Sequence, residues 1–464
     1  MTPVAMREMF TNLRLWMAAG PLLGLTAALL TITFSMRTLN ESLAEEEVGL
    51  MDQYDATLLA LVLLAGLATA TVSVYQAAQR TRRRVARLAI AGLTPSGAAT
   101  QFSHQVVGIA AVSSVIGIVL GWAVAPQAVR FIAWAGSGRG NLRGQTDAYA
   151  IVGAFVITLG LALIAATQGA SQARSVEPIE ALKPLPLQPP RPRSRRRSWL
   201  AAACGLGALV TGTLTAVLPG LDALGAGTIE GANIGASLAG ATTVLLAVFF
   251  ALSAPVYCPF LIRAWTVFLP RHRMPALSLG RSGAAFQARR SLEAFNLILV
   301  GALLAGATLS IYFARSALDP AGRGWVQARD ISGVVLAGVP VVLALVGSVL
   351  TVVATARSRA AEARVLKLSG ATSRQVLLAG FAEAFILAVT ATAVALAGVA
   401  MIGLATGIGL AGVAQAPAWP ATLGFDPVVW IAPLGVTLAG MALITAVAIP
   451  SLIQGLRQLT PADA

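Results

Sequence analysis

The sequence predicts an all-α polytopic membrane protein with about ten transmembrane helices, and three observations carry that reading. The 464 residues are 57% hydrophobic and only 11% charged, against roughly 25% charged in an ordinary soluble domain. Apolar runs of about 20 residues, enough to cross roughly 30 Å of hydrocarbon, recur from one end to the other. The runs show no period-two alternation, which argues against a transmembrane β-barrel.

Taken in order, the runs predict spans near 15–35, 56–78, 103–125, 148–168, 199–217, 237–262, 294–313, 331–355, 377–400 and 428–450. The first is too long for a signal-peptide core and lacks a convincing cleavage site, so it is read as a retained span. After Leu377 the apolar character continues to about Ala416, which fits either one long helix or a span with an outer amphipathic segment. Trp16, Trp199, Trp265, Trp325 and Trp430 fall at predicted span ends, where an indole can sit half in water.

Orientation follows from Lys and Arg placement. With both termini in the cytoplasm, only Arg37, Arg130, Arg139, Arg143, Arg315, Arg323 and Arg329 fall on the outer side. The formal charge of +14 therefore reflects topology, and nucleic acid is not an expected partner. The expected location is a bacterial cytoplasmic membrane, with the lipid bilayer as the first partner. The inner linker "PLPLQPPRPRSRRRS" (184–198) reads as extended backbone with a basic retention signal. Cys204 and Cys258 form no disulfide framework, and His104 and His272 are too far apart in sequence to suggest a zinc site.

An internal repeat organises the chain. "RRRVARLAIAGLTPSGAATQ" (82–101) lies over "AAEARVLKLSGATSRQVLLA" (360–379), with Gly92 on Gly370, Leu88 on Leu366 and Thr94 on Thr372. Each segment sits between two spans. Val85, Leu88, Ala89 and Gly92 follow helical spacing with Arg82, Arg83, Arg84 and Arg87 around them. Ala361, Val365 and Leu368 make the second stripe, with Arg357, Arg359, Arg364 and Lys367 around it. Both are expected to be short helices lying on the cytoplasmic surface. Gly92 and Gly370 are natural helix stops. Thr372 with Gln375 fits a capping box, and Thr94 before Pro95 fits an N-cap with proline at the first helical position. Each interruption thus reads as an elbow: helix, sharp turn, new helix. "ARSVEPIEALKP" (173–184) and "LRQLTPADA" (456–464) close the two copies, with Pro178 on Pro461. The predicted organisation is a four-span repeat over 1–185, a basic linker with two extra spans over 186–274, and a second four-span repeat over 275–464. Two repeats that both start in the cytoplasm are expected to be related by a pseudo-two-fold axis along the membrane normal.

These segments resemble the cytoplasmic signature of FtsX-like permeases. "EARVLKLSGATSRQV" is similar to that family's R-E-I-x-x-L-R-A-L-G-A-T pattern, and "ARSVEPIEALKP" to its closing P-x-x-A-L-R segment. The resemblance implies the permease subunit of an ABC transporter of the MacB and LolCDE type, with a span arrangement similar to BceB-type permeases but outer loops, 36–55 and 314–330, under about 20 residues each. By match of position it implies that Glu362, Leu366, Lys367, Gly370, Ala371 and Thr372, flanked by Arg359 and Arg374, dock on an ATPase. Arg84 stands where the family's acid is expected and Ala89 where its base is expected, so the first elbow departs from the pattern.

No G-x-x-x-x-G-K-[ST] segment occurs in the chain. ATP and magnesium are accordingly expected on a separate ATPase subunit, two copies for two elbows, with no catalytic, cofactor or metal residues in this chain. Gln105 and Glu383 occupy matching positions early in the third span of each repeat and are candidate intramembrane polar residues. Glu41, Glu45, Glu46, Glu47, Asp52 and Asp55 make an acidic outer segment, a candidate docking site for an extracellular partner or a solvated face. The expected function is ATP-driven export, or extraction from the membrane, of an amphipathic or hydrophobic compound such as an antibiotic, peptide or lipid. The alternative is a mechanotransmission complex that drives an outer partner, such as a cell-wall hydrolase, or reports to a sensor kinase.

Overall fold

The computed structural model describes residues 19–40, 45–90, 94–137, 145–174, 195–225, 228–268, 275–290, 293–316, 326–414 and 427–457. Among them the chain is helical, with no strand. Nine helices among the described residues are long and apolar enough to cross a membrane, so this is a multi-pass helical membrane protein. A further helix, Pro427–Arg457, carries a shorter apolar stretch at Ile431–Leu443, where the tenth span is expected.

The chain divides into two compact units, Met1–Gln188 and Pro189–Ala464. The first contains α1 (Ala19–Asn40), α2 (Glu45–Ile90), α3 (Pro95–Ser137) and α4 (Ala148–Arg174). α1 packs on the other three, α4 also packs on α2 and α3, and the sparsest contact joins the consecutive helices α2 and α3. Ala19, Leu23, Val74, Phe102, Val106, Ala162 and Ala166 belong to its apolar core. The α1–α3 crossing requires glycine: a Cβ on Gly117 would lie 2.0 Å from the Gly24 carbonyl oxygen. Small residues let backbones approach this closely where lipid tails offer no hydrophobic drive. Hydroxyls buried in these helices turn inward. Thr26, Thr31 and Thr158 each donate to the carbonyl four residues back, at 2.7–2.9 Å, which satisfies them without water.

The second unit contains α5 (Arg195–Gly225), α6 (Thr228–Trp265, followed by a 3₁₀ turn Thr266–Phe268), α7 (Pro275–Arg290), α8 (Glu293–Ser316), α9 (Val326–Leu368), α10 (Ser373–Ala414) and α11 (Pro427–Arg457). Among α8–α11, α8 packs on the other three, α11 also packs on α9 and α10, and the sparsest contact joins α9 and α10. α5 and α6 pack on each other and on α10. Two side chains tie α6 in place. Trp265 Nε1 donates to Thr390 Oγ1 on α10 at 3.1 Å. Asn296 Nδ2 on α8 donates to the Ala251 carbonyl at 3.3 Å, the acceptor that Pro255, four residues on and lacking an N–H, leaves empty.

Three expectations change. The basic segments 82–90 and 357–368 are not separate surface helices. α2 runs unbroken for 46 residues and α9 for 43, about 69 and 65 Å at 1.5 Å per residue. Arg, Ala, Leu and Glu are strong helix formers, and neither segment holds the Gly or Pro needed to break the helix before its end. The segment expected to be an outer loop over 36–55 is largely helical, since α1 reaches Asn40 and α2 starts at Glu45. The amphipathic α7 has no counterpart among the predicted elements. The alternative left open after Leu377 resolves to one 42-residue helix, α10.

Candidate functional site

The elbow between α9 and α10 is built from its own sequence. Gly370 has φ +95°, a backbone conformation that a Cβ disfavours. With Gly370 in that state, its N–H donates to the Lys367 carbonyl and the Ala371 N–H to the Leu366 carbonyl, both at 3.0 Å. This pair of bonds is a Schellman stop. Ser369 Oγ adds a third bond to the Leu366 carbonyl at 2.8 Å. The next helix is capped reciprocally: the Gln375 N–H donates to Thr372 Oγ1 at 3.3 Å, and the Thr372 N–H to Gln375 Oε1 at 2.9 Å. The capping box expected from the sequence is therefore present, and Leu366, Lys367, Gly370, Ala371 and Thr372 are gathered in one tight turn.

At the first elbow the Gly97 N–H donates to Thr94 Oγ1 at 3.2 Å and the Ala98 N–H to the Thr94 carbonyl at 3.0 Å. Thr94 is thus the N-cap and Pro95 the first residue of α3. Gly92 and Glu41 lie outside the described residues. So do the side chains of Arg82, Arg83, Arg84, Val85, Arg87, Leu88, Arg359, Glu45, Glu46, Glu47, Asp52 and Asp55, whose backbones lie in α2 and α9.

The apolar stripe predicted on the second elbow points away from the protein. Val365 is 58% and Leu368 76% exposed, while Ala363, outside the stripe, is buried. Glu362, Thr372 and Arg374 are exposed as well, and Lys367 is half-buried. The tip of α9 therefore offers apolar side chains rimmed by charge on a helix end that its own unit leaves uncovered. Phe381 and Leu378, one to two turns into α10, are also exposed and were not singled out in the sequence. Their signal was only an apolar run, which does not tell a lipid-facing position from a partner-facing one.

Gln105 and Glu383 each lie ten residues after the first residue of α3 and α10. Gln105 is buried, and Glu383 is half-buried beneath α7, its Oε2 3.0 Å from where a Cβ on Gly283 would stand. The sequence placed Glu383 early in a span but gave no sign of the helix that covers it. No family model matches this chain, and no curated protein matches it.

Proposed function

We propose that this chain is the membrane subunit of an ATP-driven machine, and that a separate ATPase docks on its helical elbows. The observation that carries the reading is the second elbow. A helix longer than a span needs runs on from its apolar stretch, Gly333–Val353, to Leu368, stops at a preorganised turn, and leaves Val365 and Leu368 uncovered, with Glu362 and Arg374 also exposed. Apolar side chains held out on a rigid tip suit a protein partner.

We further propose that α1–α4 and α8–α11 are two copies of one four-helix unit. The lengths support this: 46 and 43 residues for the second helix, 43 and 42 for the third. So does the shared pairing pattern, in which the second and third helices touch least. Together with the elbow sequences, this favours an FtsX-like permease that moves or extracts an amphipathic or hydrophobic compound while its partner hydrolyses ATP.

A photo-crosslinker at Leu368 in native membranes tests the docking. The expected product is a covalent adduct to a subunit with a nucleotide-binding loop, lost when the label is moved to Ile431, an exposed residue of α11. Adducts only to lipid or to proteins without such a loop would refute the reading.

A further inference from the structure

The helix α7 has three distinct sides, and one of them is cut to fit α10. A Cβ on Gly280 would lie 2.6 Å from the Ala382 Cβ and 2.9 Å from the Ala379 carbonyl oxygen. Together with the fully buried Ala284, this makes a small-residue seat that holds α7 against α10. On a second side, Leu279 and Phe286 are one helical repeat apart and both exposed, Phe286 by 51%. Turned away from that side are Ser278 and Arg281.

The tethers of α7 restrict where it can lie. It is joined by six residues, 269–274, to the 3₁₀ turn that ends α6, and by two, 291–292, to the start of α8. α6 and α8 are both candidate spans. A 16-residue helix between such short connections is held close to the ends of those two spans. Phe268, at the end of the 3₁₀ turn, is 89% exposed, and Val267 beside it is exposed too. Large apolar side chains left open beside two spans suit the headgroup–acyl boundary, where an amphipathic helix lies with its apolar side down. Arg281, half-buried on α7, is a basic residue beside that boundary, where positive charge attracts anionic headgroups.

We propose that α7 is a membrane-surface helix that inserts Leu279 and Phe286 into the leaflet and holds anionic phospholipid through Arg281. This rests on the spanning character of α6 and α8 and is independent of the ATPase docking proposed above.

The test uses the full chain in nanodiscs, with a fluorophore on a cysteine at position 286 or at position 278, which is exposed on another side of the helix. Brominated phosphatidylcholine or brominated phosphatidylglycerol serves as the quencher. The expected result is strong quenching at 286 and weaker quenching at 278, with phosphatidylglycerol the better quencher. In Arg281→Gln that preference falls by roughly fivefold, the factor that one interfacial basic residue contributes. Equal, weak quenching at both positions would overturn the proposal. So would equal quenching by the two lipids, or protection of 286 from water without quenching, which would mean that a protein covers this side.

Discussion

Replacing Gly370 by alanine isolates the conformational requirement of the elbow from its packing. Nothing lies within 4 Å of a Cβ at this position, so the substitution clashes with no neighbour. The whole cost comes from holding an L-residue at φ +95°, about 1–2 kcal/mol. That energy works against the two bonds that need the conformation, Gly370 N–H to Lys367 and Ala371 N–H to Leu366. Local opening of the turn should therefore rise about five- to thirtyfold. Hydrogen exchange of peptides covering 366–376, measured on the full chain in nanodiscs, reads this directly, and peptides from α8 serve as the internal reference. Asparagine tolerates positive φ better than alanine, so Gly370→Asn should fall between wild type and Gly370→Ala. Unchanged exchange in Gly370→Ala, or faster exchange in Gly370→Asn than in Gly370→Ala, would refute the reasoning.

Two further outcomes follow from the packing. Gly117→Ala must push α1 and α3 apart, because its Cβ would meet the Gly24 carbonyl at 2.0 Å; it should lower the thermal stability of the detergent-solubilised chain well below that of Gly160→Ala, where nothing lies within 4 Å. Asn296→Leu leaves the Ala251 carbonyl without its donor and should cost about 1–3 kcal/mol; in a Pro255→Ala background, where the restored backbone N–H can donate to that carbonyl, a double-mutant cycle should show most of that cost removed.

The elbow at Gly370 was legible because its information is local. A glycine stop, a Thr at the next N-cap and a Gln three residues later specify a turn whatever surrounds them. Thr94 and Pro95 were legible for the same reason. The ends of the spans were not, because hydropathy marks where lipid can lie and not where a helix stops. The segment "ATARSRAAEARVLKL" (354–368) is charged yet composed of helix formers, so α9 continues through it. The acidic start of α2 behaves in the same way. α7 was not legible because the side that seats it is built from glycine and alanine, residues that say little until the partner they seat against is known. Its value lies in the close approach at Ala379 and Ala382, a long-range fact. Gln105 and Glu383 matched in sequence register, but only three dimensions could reveal that a helix covers one of them.

The absence of a break between span and tip in α9 bears on how force would travel. Had 357–368 been a separate surface helix, a load on it would bend a joint. As one rod, α9 carries displacement at Leu368 into the packed part of the unit. At the elbow it is joined covalently to α10, yet those two helices touch sparsely elsewhere, while α8 and α11 each pack on both. α8 is also the most buried of the candidate spans. Moving the tip therefore loads α8 and α11 together, and a close-packed interior resists local deformation. The four helices are then expected to move as one body, with the joints that yield lying outside the α8–α11 set. α1–α4 shares this logic: α2 and α3 touch least, and α1 and α4 pack on both. If the docking proposed above holds, a unit packed in this way should move under a load at its elbow without changing its internal packing.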